Sequence, residues 1–191
     1  NVVIFLLSYS HGRYYAYPVA GEILPLPIRP WAWDWMLVPA QWQILQFVTY
    51  AFLHGSIMHI VGNMFFLYLF GNNLNDKLGH FWYIVFYLGG AVFSGVGHTL
   101  MHLDSYAPTL GASGAVAAVT GAYLVLFPQT LVTVLYWFFF IGTVEIPALY
   151  FIGLKMIFLD NVLVRMTRDV AYDAHLAGYA YGVGLLLFLV A

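Results

Sequence analysis

The sequence predicts an all-α, polytopic integral membrane protein with six transmembrane helices in a single domain covering residues 1–191, and three observations predict it. First, 63% of the residues are hydrophobic and only 7% charged, with a mean hydropathy of +0.85, which is too apolar for a water-soluble domain. Second, five apolar stretches each approach the ~20 residues that a helix needs to cross the hydrocarbon core. Third, these stretches lack period-two alternation, and lipid admits only helices or closed barrels, so helices are expected. The eight acids and six bases are scattered, leaving no basic stripe for nucleic acid. Cysteine is absent, which excludes disulfides and thiolate chemistry, so any nucleophile has to be oxygen or nitrogen.

The opening run NVVIFLLSY is too short for a span and starts at Asn1, not Met, so it reads as the remainder of a first helix in a trimmed chain. Residues 10–41, rich in Pro, Gly, Trp and Tyr and holding Arg13, Glu22, Arg29 and Asp34, read as a long loop with interfacial aromatics. Helices are then expected over about Trp42–Phe70, Phe81–Met101, Ser113–Phe127, Leu131–Leu154 and Val170–Ala191. The fourth stretch is confined between Gly111 and Pro128. A helix of about 15 residues is roughly 22 Å long, against a core of ~30 Å. It must therefore begin below the membrane surface, where its unpaired N–H groups need protein and water above them. Ser113 stands at that buried start.

Three motifs carry polar chemistry. In Gly111-Ala112-Ser113-Gly114 a hydroxyl sits at a helix amino terminus, where the dipole and free N–H groups favour an anion. The alternative is a serine cap with glycines for close packing, common between membrane helices. In HGSIMHIVGNM, His59 and Asn63 are four apart and share a helical face, so both can point donors at one place or bond a neighbouring helix. His54 reads as a support for the helix end or loop. In AYDAHLAGYAYG, His175 lies three residues before Gly178, and the Gly178/Gly182 spacing lets another backbone approach. If that partner is the small-faced fourth helix, imidazole meets hydroxyl as base and nucleophile. Asp173 is two residues from His175 and points elsewhere, so it reads as a cap or a water-facing group, leaving a dyad in place of a triad.

On these residues the chain resembles the rhomboid intramembrane serine proteases, with WQILQFVTYAFLHGSIMHIVGNM similar to their second helix, GASGAV to the nucleophile motif and AHLAGYAYG to the last-helix histidine motif. The resemblance runs in order over about Gln41–Gly184. It implies Ser113 as nucleophile, His175 as general base and then acid, and an oxyanion hole made of His59, Asn63 and the Ser113 backbone N–H. His54, Gly111, Gly114, Gly178 and Gly182 would be structural supports. It further implies cleavage of single-span transmembrane proteins in or near the bilayer, with lipid as surroundings, water as second substrate and no cofactor or resident metal. The location implied is a bacterial inner membrane. The loop 10–41 would lie partly in the membrane, and the fifth helix, with Gly142 and Pro147, would yield to admit substrate.

Some features depart from that pattern. Some relatives carry an aromatic ring one turn after the serine, where Ala117 stands here, so another contact has to hold the imidazole. The few charges, with Arg13, Arg29, Arg165 and Arg168 outside and Lys77 inside, oppose the usual orientation rule. His98 and His102 are four apart and could clamp a metal or lie at the interface, and Glu145 is costly to bury in a span. Two rival readings follow: a rhomboid-like protein that binds transmembrane helices without cutting them, and a haem or metal membrane protein using His54, His59, His98, His102 and His175.

Overall fold

The computed structural model describes residues 1–137, 141–154 and 172–190. A short helix, α1 (Val2–Ser8), leads into a hairpin of β1 (Tyr15–Val19) and β2 (Glu22–Leu26), followed by 3-10 turns at Pro30–Trp35 and Pro39–Gln41. The long segment expected as a loop is thus partly structured. It is tied down by reciprocal backbone bonds between Leu37 and Thr109 (3.0 and 2.7 Å) and by Ala40 N–H to the Ser105 carbonyl (2.9 Å).

The apolar stretch expected as one helix over Trp42–Phe70 is broken. A turn of helix, α2 (Gln46–Thr49), runs through a 3-10 turn at Tyr50–Phe52 and bends by 100° into α3 (Ile57–Leu78). The break falls at Gly55-Ser56, where the Ser56 hydroxyl accepts the His59 backbone N–H at 3.0 Å and caps the new helix. Gly79, at φ 77°, then reverses the chain into α4 (His80–Met101). The short helix α5 (Ser113–Leu126) has 14 residues, roughly 21 Å at 1.5 Å each, and ends before Pro128.

The stretch Leu131–Leu154, expected as a fifth helix, is instead an antiparallel hairpin of β3 (Leu131–Trp137) and β4 (Ile141–Pro147) followed by a seven-residue helix, α6 (Ala148–Leu154). Hydropathy alone could not distinguish the two. Val132, Thr133, Val134, Thr143, Val144 and Ile146 are β-branched and favour paired strands. A two-stranded ladder leaves its outer backbone groups unpaired, so it belongs outside the hydrocarbon. Gly142 and Pro147 accordingly lie on β4, not in a yielding helix. The last helix is α7 (Tyr172–Val190); Arg165 and Arg168 lie outside the described residues.

Helix α5 is the centre of the bundle. Every residue from Gly114 to Tyr123 is buried, as expected of a helix that is apolar all round, and α3, α4 and α7 surround it. The outward faces of these helices expose Phe65, Phe93, Leu100, Leu187 and Phe188, an apolar surface suited to lipid. Among the described residues, α4 and α7 are long and apolar enough to cross a membrane, and a third span is counted if the bent α2–α3 pair is one. The protein is a mostly helical membrane protein.

Candidate functional site

Ser113 is the first residue of α5, and His175 lies in the first turn of α7. These helices run parallel and touch backbone to backbone. A Cβ on Gly178 would collide with the Gly114 carbonyl oxygen and stand 2.9 Å from Ser94 Oγ and 3.1 Å from Ala117 Cβ. One turn on, a Cβ on Gly182 would meet the Ala118 carbonyl. At the near end, a Cβ on Gly114 would stand 2.6 Å from Ser94 Oγ and 3.5 Å from the Ala174 carbonyl oxygen. Glycine is therefore required where α4, α5 and α7 converge. Since Ser113 precedes Gly114 and His175 follows Ala174, both belong to residues flanking one close crossing. His175 is buried and Ser113 half-buried. The small Ala117 side chain leaves room for the α7 backbone at Gly178.

The loop before Ser113 turns on a residue in a conformation that favours glycine. Gly111 has φ 132°, and its N–H donates to the Tyr50 carbonyl (2.9 Å), while Tyr50 OH donates to the Ala91 carbonyl (2.8 Å). A Cβ at Gly111 would stand 2.7 Å from His59 Nε2 and 3.8 Å from Ser113 Oγ. The His59 ring, Gly111 and the serine hydroxyl thus border one small volume, too tight on the His59 side to take a methyl group. Asn63, one turn along α3, is buried and donates its side-chain N–H to the His59 carbonyl at 3.0 Å. His54 is fully buried and packs edge-on against His59, ring centroids 5.0 Å apart. The first backbone bond of α5 runs from Val116 N–H to the Ala112 carbonyl (2.9 Å), so the N–H groups of Ser113, Gly114 and Ala115 precede it at this same end.

A second polar group, of which the sequence marked only the His98/His102 pair, lies beside the first. His98 Nδ1 is 2.7 Å from Asp173 Oδ2, His98 Nε2 is 2.8 Å from Thr109 Oγ1, and His102 Nε2 is 3.3 Å from the same Asp173 oxygen. Asp173 is thus turned towards α4, bonded to a residue 75 positions away. The i, i+4 pair His98/His102 was the available signal; its carboxylate partner was not. Among the described residues, groups of three or more metal-capable side chains occur only at His98, His102 and Asp173, so the five histidines of the haem reading do not gather. Glu145 is exposed on β4 opposite Thr133. A cleft of about 510 Å³ between α3 and α4, bordered by Tyr68, Asn75, His80 and Tyr83, contains none of the residues around Ser113.

The family model described as Rhomboid domain matches residues 41–191. The chain is 33% identical over 152 residues to the RHOMBOID-like protein 12, mitochondrial, of Arabidopsis thaliana, covering 70% of this chain and 43% of the relative. It is 30% identical over 146 residues to the Presenilin-associated rhomboid-like protein A, mitochondrial, of Danio rerio, covering 73% and 36%. It is 35% identical over 79 residues to the Rhomboid protease GlpG of Yersinia pestis, covering 41% and 27%. The chain spans less than half the length of each of these relatives.

Proposed function

The chain belongs to the rhomboid family, and on that premise we propose that it is an intramembrane serine endopeptidase whose nucleophile is Ser113 and whose general base is His175. The observation that carries the reading is the glycine-lined crossing of α5 and α7, which brings the residues beside Gly114 and Ala174 to one level. Ser113 Oγ attacks a substrate carbonyl while His175 takes its proton, and the oxyanion is received by the Ser113 N–H, His59 and Asn63. Asn63 has one amide N–H engaged with the His59 carbonyl, so the second is the one that would serve. His175 then protonates the leaving amine, and water hydrolyses the acyl-enzyme with His175 again as base.

The substrate class is a single-span membrane protein. A helical segment hides its carbonyls in its own hydrogen bonds, so one that unwinds near Ser113 is favoured. Among the described residues, α4 and α7 are each able to cross the membrane, and the bent α2–α3 pair makes a third crossing if it is one span. The reading places the chain in a bacterial inner membrane, with the mitochondrion, printed in the names of the plant and fish relatives, as the second location.

The test is incubation of the purified chain with a single-span reporter, beside Ser113→Ala and His175→Ala. Cleavage by the parent alone, with fluorophosphonate labelling that needs both residues, is the expected result. Reporter binding without cleavage or labelling would identify a non-cutting relative, and equal cleavage by all three proteins would mean a contaminant.

A further inference from the structure

We propose that His98, His102 and Asp173 form a binding site for one divalent transition-metal ion of the zinc class, at the end of the bundle that carries Ser113. One ligand atom from each residue lies within 4.8 Å of the others. A tetrahedral ion bound at 2.0–2.2 Å holds its ligands about 3.4 Å apart. The His102–Asp173 separation of 3.3 Å already has that value, and the 2.7 Å between His98 and Asp173 has to open by less than about 1 Å. Two imidazoles and a carboxylate suit zinc, cobalt or nickel, whereas calcium and magnesium prefer oxygen alone.

The surroundings are those of a ligand site. Thr109 Oγ1 holds the far nitrogen of His98 at 2.8 Å, as outer-shell groups hold a metal-bound imidazole in one tautomer. The ion would take Nδ1, the ring proton would move to Nε2, and the threonine hydroxyl would change from donor to acceptor. The histidine needs no net change of charge. Exposure is graded, with the His98 and Asp173 side chains 11% and 16% accessible and His102 47%, so the ion has a way in and water has the fourth position. An ion here would staple the end of α4 to α7 two residues before His175 and, through Thr109, to the loop that leads to Ser113. The site goes beyond the protease reading and does not depend on it, because binding is measured without turnover.

The test uses the tag-free full chain in detergent, stripped with a chelator and titrated with Co²⁺ followed by visible absorption, then with Zn²⁺ as competitor. One ion per chain is expected. His102→Ala, at a half-exposed position, should bind at least about tenfold more weakly, and Thr109→Val about tenfold. Zn²⁺ should raise the thermal midpoint of the parent and not of His102→Ala. Absence of saturable binding by the parent, or equal binding by His102→Ala, would overturn the site and leave the cluster a hydrogen-bonded clamp.

Discussion

Replacing Gly111 by alanine puts a methyl group 2.6 Å from Cε1 and 2.7 Å from Nε2 of His59. Non-bonded carbon atoms rest at about 3.5–4.0 Å, so the ring or the loop has to move by roughly 1 Å. Overpacking of this size costs roughly 1–3 kcal/mol. The backbone adds a separate term, since φ 132° is a conformation that side-chain-bearing residues rarely adopt, at roughly 1–3 kcal/mol. Gly111→Ala should therefore destabilise by about 2–6 kcal/mol. A double-mutant cycle with His59→Ala separates the terms. Removing the ring relieves the collision and leaves the strain, so the two changes should couple by about 1–3 kcal/mol. The assay is the thermal midpoint of the four proteins in one detergent at one scan rate. A coupling of zero, with Gly111→Ala equally costly with and without the ring, would refute the placement of His59 against Gly111 and its sharing of a volume with Ser113.

Gly178→Val should force α7 away from the Gly114 carbonyl, costing roughly 1–3 kcal/mol or more and abolishing reporter cleavage even though Ser113 and His175 are unchanged; retained activity would refute the close crossing as the basis of the site. Ser56→Ala removes the acceptor of the His59 N–H at 3.0 Å and should cost about 1 kcal/mol, read as a lower midpoint and faster amide exchange at the start of α3. Unchanged exchange there would mean that the helix start is held by the α3–α5 packing alone.

The helix boundaries that the sequence placed well are those marked by local chemistry. Gly111 and Pro128 bracket α5, and its start at Ser113 follows from them; α4 begins one residue from its expected position because Gly79 ends the helix before it. The misplaced boundaries lay inside long apolar runs. Gly55-Ser56 bends one such run by 100°, and the β-branched residues around Thr133 and Val144 fold another into a hairpin. Hydropathy registers transfer to lipid, and both changes leave it nearly untouched. Of the candidate site, Ser113, His59, Asn63 and His175 could be singled out as polar groups in apolar surroundings. The bond from Asp173 to His98 could not, because it depends on how two helices 75 residues apart are rotated.

By itself the sequence determined that this chain is an apolar, mostly helical membrane protein with a short helix opened by a serine, since composition and local punctuation fix those properties residue by residue. Only the tertiary structure decided which polar groups are neighbours. That choice is made where Gly114, Gly178 and Gly182 let backbones touch, and the depth and rotation of such a contact depend on the shapes of both helices at once.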